Sequence, residues 1–154
     1  MKYPKVQLSD HIYWVGTNDR KTHLFENYWP LPTGIAYNSY LIIDDKVTLI
    51  DTVSTTTMDT YLEKLKEILE SRTIDYLIIN HMEPDHSGAV NTIVNEYPNI
   101  TIIGNNRTFP MLDGFYGIKK NLMEVDENTV LCTGQHEFHF YLTPMVHWPE
   151  TMMT

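Results

Sequence analysis

Apolar positions along the chain fall into short runs separated by turn-forming residues, and each run carries a readable period. Residues 6–15 end in Ile12-Tyr13-Trp14-Val15, a first strand, and Asp19-Arg20-Lys21 forms a polar turn. Residues 24–34 read as irregular, punctuated by Trp29-Pro30-Leu31-Pro32 and Gly34; their aromatics, Phe25, Tyr28 and Trp29, cover a core edge or line a pocket. Residues 37–43 and 47–50 flank Asp44-Asp45-Lys46 and predict a hairpin. From 58 to 71, Leu62, Leu65, Ile68 and Leu69 recur at helical spacing, with Glu63, Lys64, Lys66 and Glu67 turned outward. Tyr76-Leu77-Ile78-Ile79 is a short buried strand. A second helix is predicted over 88–96, stopped by Pro98. A strand follows at 101–104, and Asn105-Asn106-Arg107 opens a third short helix through Phe109, Leu112 and Phe115. Strands at 122–125 and 129–132 bracket a turn at Asp126-Glu127-Asn128, and a last strand is predicted over 138–146. A hairpin, then alternating helix and strand, then strands again, specifies an α/β layered sheet.

The chemistry concentrates just after the strand at Tyr76. His81-Met82-Glu83-Pro84-Asp85-His86 places four metal-capable side chains within six residues. Pro84 fixes its own φ and pushes Glu83 out of the helical region. Extended backbone is then expected to set His81, Glu83 and Asp85 at two-residue intervals on one face. One short loop offers imidazole and carboxylate groups to two neighbouring ions. A lone histidine is more often a satisfied polar residue and an Asp before a helix more often a cap; four such residues together after a buried strand favour a metal site. The strand over 138–146 delivers His147-Trp148-Pro149-Glu150, so His147 arrives at an equivalent strand end and is the natural fifth ligand. Strand ends are where ligands commonly bind in such sheets.

Composition narrows the partners. The chain has 154 residues, enough for one domain with a core. Twenty acidic residues against 11 basic give a net charge of −9, which argues against nucleic acid and against an anionic membrane surface. Cys132 is the only cysteine, so neither an intrachain disulfide nor a cysteine zinc knot is available, and a cytoplasmic location fits. Met1-Lys2-Tyr3-Pro4-Lys5 leads into no apolar signal core, and no run reaches membrane-spanning length. His11, His23, His136 and His139 lack partners at ligand spacing and read as surface or edge-strand residues.

The His-x-Glu-x-Asp-His loop resembles the metallo-β-lactamase fold in its flavodiiron version; hydrolases of that superfamily usually carry His where Glu83 stands. Leu24-Phe25-Glu26, Trp29-Pro30-Leu31-Pro32, Tyr37-Asn38-Ser39-Tyr40-Leu41, Leu49-Ile50-Asp51-Thr52-Val53 and Pro144-Met145-Val146-His147-Trp148-Pro149-Glu150-Thr151-Met152 are similar to the same family, nearly end to end. The resemblance implies two non-haem iron ions. His81, Glu83 and His147 would bind one, and Asp85 and His86 the other. It implies reduction of O2 to water or of NO to N2O, with electrons from FMN in a flavodoxin-like domain. The electron donor would be a rubredoxin, a reductase or a reduced deazaflavin. A head-to-tail homodimer would bring the partner's FMN near Trp148. Mixed imidazole and carboxylate ligation suits iron. Asp51 either accepts a ligand imidazole N–H or serves as a turn or cap acid. Met145 and the nearby aromatics shield a pocket or pack a core. Glu26 lies in a segment that borders the substrate pocket in the family, although a solvated loop acid is the simpler reading.

The family pattern continues beyond His147 with a bridging Asp and a further His. Residues 1–154 therefore correspond to the N-terminal portion of a metallo-β-lactamase-like αβ/βα sandwich, mainly its first αβ half, without the second half and the flavodoxin-like domain. Half a sandwich is expected to expose an apolar sheet face, and the isolated chain is expected to be inactive. Two other functions compete: a binuclear zinc hydrolase of the same fold, against which Glu83 argues, and a non-catalytic fragment that binds a partner through its uncovered sheet.

Overall fold

The computed structural model describes residues 5–154; Met1 to Pro4, which the sequence reads as leading into no signal core, lie outside the described residues. In chain order, β1 (Val6–Ser9) and β2 (Ile12–Trp14) precede β3 (Thr17–Asp19), β4 (Leu24–Phe25), β5 (Trp29–Pro30), β6 (Ile35–Tyr37), β7 (Tyr40–Ile42) and β8 (Thr48–Ile50). Helix α1 (Met58–Leu69), β9 (Tyr76–Ile78), α2 (Pro84–Ser87), α3 (Val90–Glu96), β10 (Thr101–Gly104), α4 (Thr108–Tyr116) and β11 (Leu122–Glu124) follow. The chain closes with β12 (Val130–Cys132), β13 (Glu137–His139), β14 (Tyr141–Leu142) and β15 (Met152–Met153).

Seven of these strands form one mixed sheet in the order β1-β2-β7-β8-β9-β10-β11. The β1 to β8 side is antiparallel, and β8, β9, β10 and β11 run parallel. Parallel neighbours need crossovers, and α1, the α2–α3 pair and α4 provide them. The register lines up Tyr13, Leu41, Leu49, Leu77, Ile102 and Leu122 in one row across the sheet. Side chains alternate along a strand, so this row faces the helices. Leu41, Leu49, Leu77 and Ile102 pack with Tyr61, Leu65 and Leu69 of α1, Val90 and Ile93 of α3 and Leu112 of α4. Full burial of each such aliphatic side chain contributes roughly 1.5–3 kcal/mol. The next residues along, Ile42, Ile78 and Ile103, face the opposite side and meet Val125, Leu131, Phe138, Phe140 and Met152. That face is covered in part by the β12–β15 segment, with an open cleft of about 430 Å³ left between Ile12, Tyr40, Ile50, Phe138 and Tyr141.

Several expected boundaries shift for identifiable reasons. Asp126-Glu127-Asn128 is a turn, but it does not join a hairpin. The strand before it pairs in parallel with β10, and the strand after it pairs with β13, because long-range partners outcompete the adjacent segment. The strand expected over 138–146 is split at Phe140 into β13 and β14 and ends at Leu142, so His147 leaves a loop and not a strand end; β14 and β15 pair across that loop. Residues 24–34 contain a small β4–β5 hairpin. The stripe of α1 includes Tyr61, whose hydroxyl reaches Ser39 Oγ at 3.0 Å and donates to the Asp51 carbonyl at 3.3 Å. Gly117 takes a left-handed conformation (φ 69°) and closes α4, its N–H donating to Asp113 O and Leu112 O.

The three crossovers send β8, β9 and β10 in one direction, so Asp51, Asn80-His81 and Asn105 emerge at the same edge of the sheet. Among the described residues no helix is long and apolar enough to cross a membrane.

Candidate metal centre

His81 follows β9 and is anchored from two sides. Asp51 Oδ1 accepts from the Asn80 N–H at 2.7 Å and from the His81 N–H at 3.3 Å, so the exit of β8 fixes the backbone at the exit of β9. The ring Nδ1 lies 2.9 Å from Glu150 Oε1. Asp51 itself takes a left-handed φ of 50°. Its carboxyl is enclosed although part of the residue stays accessible, and burial lifts its pKa to about 6 against the amide donors of Asn80 and His81. Asp51 Oδ1 thus bonds the backbone of the ligand loop, the arrangement of a turn or cap acid at a strand end.

Glu83 is buried and its oxygen Oε2 is the meeting point of two rings. His81 Nε2 and His147 Nε2 each lie 3.0 Å from it, and the two nitrogens are 3.3 Å apart. One donor atom from each of His81, Glu83 and His147 falls within 4.8 Å of the others, residues separated by as many as 66 positions. Donors held about 2.0–2.2 Å from one ion sit about 3 Å apart when they subtend a right angle, so the spacing suits a shared ion. His147 reaches this point from the loop between β14 and β15, with its side chain mostly exposed, while Trp148 sets its ring edge-on to His81 at 5.3 Å.

Asp85 and His86 stand apart from that trio. Glu83 is extended (φ −58°, ψ 140°), as Pro84 requires, but Pro84 then opens α2 at its first position. The extended run over 81–85 therefore stops at Glu83, and Asp85 and His86 lie on a helical turn. Their side chains pair at 3.3 Å, Asp85 Oδ2 to His86 Nε2, and the His86 ring centre is 5.6 Å from that of His81. Asp85 Oδ1 is buried without a hydrogen-bond partner. Burial raises the Asp85 carboxyl above its usual range, opposed by His86 and reinforced by Glu83. That oxygen is free to take a cation as its partner. The donor set is thus two adjacent groups, His81–Glu83–His147 and Asp85–His86, of mixed imidazole and carboxylate character, and it fits a pair of transition-metal ions of the iron type.

A cavity of about 340 Å³ opens beside this edge, lined by Phe25, Glu26, Tyr37, Glu83, Asp85 and Tyr116 among others. Phe25 and Glu26 therefore border the pocket, and Glu26 is held at a φ of 50°. Met145 is exposed at 69% and is not among the residues lining this cavity. His136, read as a surface histidine, instead places Nδ1 2.8 Å from Asp44 Oδ2. Two further residues belong to this edge, Glu150 and Asn105, to which the sequence pattern assigns no role at the site. Glu150 is fully buried, takes the Met82 N–H at 2.8 Å as well as the His81 ring, and leaves Oε2 without a partner. Asn105, after β10, donates from Nδ2 to the Glu150 carbonyl at 2.6 Å. The available signal was an acidic residue three positions after a ligand candidate, inside a Trp-Pro segment.

Comparison with known proteins gives a consistent set of relatives. A family model described as ODP family beta lactamase matches residues 35–154. The nitric oxide reductase of Moorella thermoacetica is 36% identical over 151 residues, covering 97% of this chain and 38% of the relative. Among solved structures, rubredoxin oxygen:oxidoreductase from Desulfovibrio gigas superposes with a TM-score of 0.90 at 29% identity, over 97% of this chain and 37% of that one. The flavodiiron protein of Giardia intestinalis gives a TM-score of 0.89 at 27% identity, over 97% of this chain and 37% of that one. The chain spans less than two-fifths of the length of these proteins.

Proposed function

The chain belongs to the ODP family of β-lactamase-like domains, and on that premise we propose that it is the diiron-binding portion of an FMN-dependent oxidoreductase that reduces O2, NO or both. The observation that carries this reading is the convergence of His81, Glu83 and His147 on one point, with a carboxylate at its centre. His81, Glu83 and His147 would hold one iron, and Asp85 and His86 would contribute to the second. Iron held there would supply the redox chemistry for O2 or NO, with FMN as the electron source. Glu83 gives the site a formal negative charge where an imidazole would give none, which favours the more oxidised ion and counts against the zinc-hydrolase alternative. Asp51 keeps the loop at its exit angle from the sheet. Phe25, Tyr37 and Tyr116 line the adjoining cavity, which is large enough for a diatomic substrate.

Electron supply lies outside residues 1–154 in this reading. The FMN of a head-to-tail partner approaches Trp148, which presents a partly accessible ring against His81. A rubredoxin, a reductase or a reduced deazaflavin delivers the electrons; the names of the relatives, rubredoxin oxygen:oxidoreductase and flavorubredoxin among them, support the rubredoxin. The 154-residue chain alone binds metal without turning over.

Anaerobic loading of the purified chain with Fe(II), followed by elemental analysis and intact mass on one sample, tests the reading. Iron bound in stoichiometric amount, and lost on His81→Ala, is the expected result. No retained iron, or zinc retained in preference to iron, would transfer the assignment to a non-catalytic fragment or to a hydrolase respectively. Consumption of O2 and NO by the reduced full-length protein then separates the two substrates.

A further inference from the structure

The loop between β14 and β15 brings two residues to the sheet edge, His147 and, three positions later, Glu150. Glu150 does not face the point where His81, Glu83 and His147 meet. It sits behind His81, fully buried, with Oε1 2.9 Å from the ring Nδ1 and 2.8 Å from the Met82 amide nitrogen. A carboxylate only accepts, so the proton of that contact belongs to Nδ1. The opposite nitrogen, Nε2, faces Glu83 Oε2 and His147 Nε2. We infer that Glu150 is a positioning residue that fixes the His81 proton on Nδ1 and so presents Nε2 bare to an ion; the inference rests on the metal-centre reading above.

The rest of the edge is built to hold Glu150 there. Asn105 Nδ2 donates to the Glu150 carbonyl at 2.6 Å, and Arg107 Nη1 donates to the Pro149 carbonyl at 3.3 Å. The Met152 N–H donates to the Asn80 carbonyl at 3.0 Å, one residue before His81. The loop is thus tied to the exits of both β9 and β10. Closing it supplies a ligand candidate and sets the tautomer of another in one step. Glu150 Oε2 is buried without a partner. A packing acid would have both oxygens satisfied or exposed. Here the uncompensated charge lies behind an imidazole, where it strengthens Nε2 as a donor and is offset by a cation on the far side of the ring.

Imidazole nitrogen NMR on the 154-residue chain, metal-free at mildly alkaline pH and again with zinc, tests this, with the His81 signals assigned by their loss in His81→Gln. The wild type should carry a proton on Nδ1 in both states. Glu150→Leu should lose that preference and weaken zinc binding by about 10–100-fold, and Glu150→Gln, which keeps the acceptor but not the charge, should keep the preference and lose less affinity. A merely structural Glu150 would lower the unfolding midpoint while leaving tautomer and affinity alone. His81 without a proton on Nδ1 in the wild type, or zinc affinity unchanged in both variants, overturns the inference. If Glu150→Leu does not fold, the Gln variant decides, since unchanged affinity there is contradictory and reduced affinity with the tautomer kept is supportive. Failure of the wild type to bind zinc or iron would instead strike the metal-centre reading, while the metal-free tautomer still judges Glu150.

Discussion

Asn105→Ala isolates how the far end of the ligand loop is held. The Asn105 side chain is buried at 6% exposure and works in two directions. Its Oδ1 accepts from the Arg107 N–H at 3.0 Å and the Thr108 N–H at 3.3 Å, which satisfies donors at the start of α4. Its Nδ2 supplies the hydrogen bond to the Glu150 carbonyl. Loss of an Asn at a helix start costs about 1 kcal/mol. A buried carbonyl left without its donor costs a further 1–3 kcal/mol, roughly. Together the substitution should remove about 2–4 kcal/mol from the metal-free chain, which for a domain of this size lowers the unfolding midpoint by roughly 5–15 °C. Urea unfolding measures the free energy. Hydrogen exchange then locates the loss: the Met152 amide, bonded to Asn80 O, should exchange faster than the central amides of β9. A destabilisation below about 0.5 kcal/mol, the range of an ordinary surface substitution, would refute the reasoning. So would unchanged exchange at Met152, because the loop would then be held by something other than Asn105.

Three further outcomes are expected. Glu83→His should move the metal preference of the site from iron toward zinc, read as the Fe:Zn ratio after loading from an equimolar mixture; an unchanged ratio would contradict the role given to the Glu83 carboxylate. Asp44 should make stability fall in acid. Burial alone would raise its carboxyl, but the Gln135 N–H, the His136 ring and the Asp45 and His136 N–H groups outweigh that and hold it well below the usual carboxylate range. The native state therefore binds fewer protons there than the unfolded state, and its contribution is complete above about pH 4 and lost as pH falls below that value; Asp44→Asn should flatten the acid limb of the unfolding midpoint against pH. Met82→Ala empties a fully buried site beneath the loop and should cost about 2–5 kcal/mol in urea unfolding.

The parallel core was legible because its strands are short and wholly apolar and its first helix carries a clean stripe. The ligand loop was legible because chemistry-bearing residues stand side by side in it. Pro84 is the ambiguous residue: it keeps Glu83 extended, yet a proline also opens helices, and α2 begins on it. The route of the chain after Gly117 was less accessible. Whether residues 122–125 pair with the next segment or with β10 depends on a partner about twenty positions earlier, which no local period reports. Glu150 and Asn105 were hidden for the same reason. Both look like surface polar residues until the loop folds back over β9 and β10, and only then does burial give them their partners.

Anomalous diffraction from crystals of the chain grown anaerobically with Fe(II), recorded at the iron edge, tests the central claim most directly. The account predicts one peak bounded by His81 Nε2, Glu83 Oε2 and His147 Nε2, and a second against Asp85 and His86. Iron peaks only at surface acids, with the His81–Glu83–His147 cluster free of them in iron-saturated crystals, would contradict it.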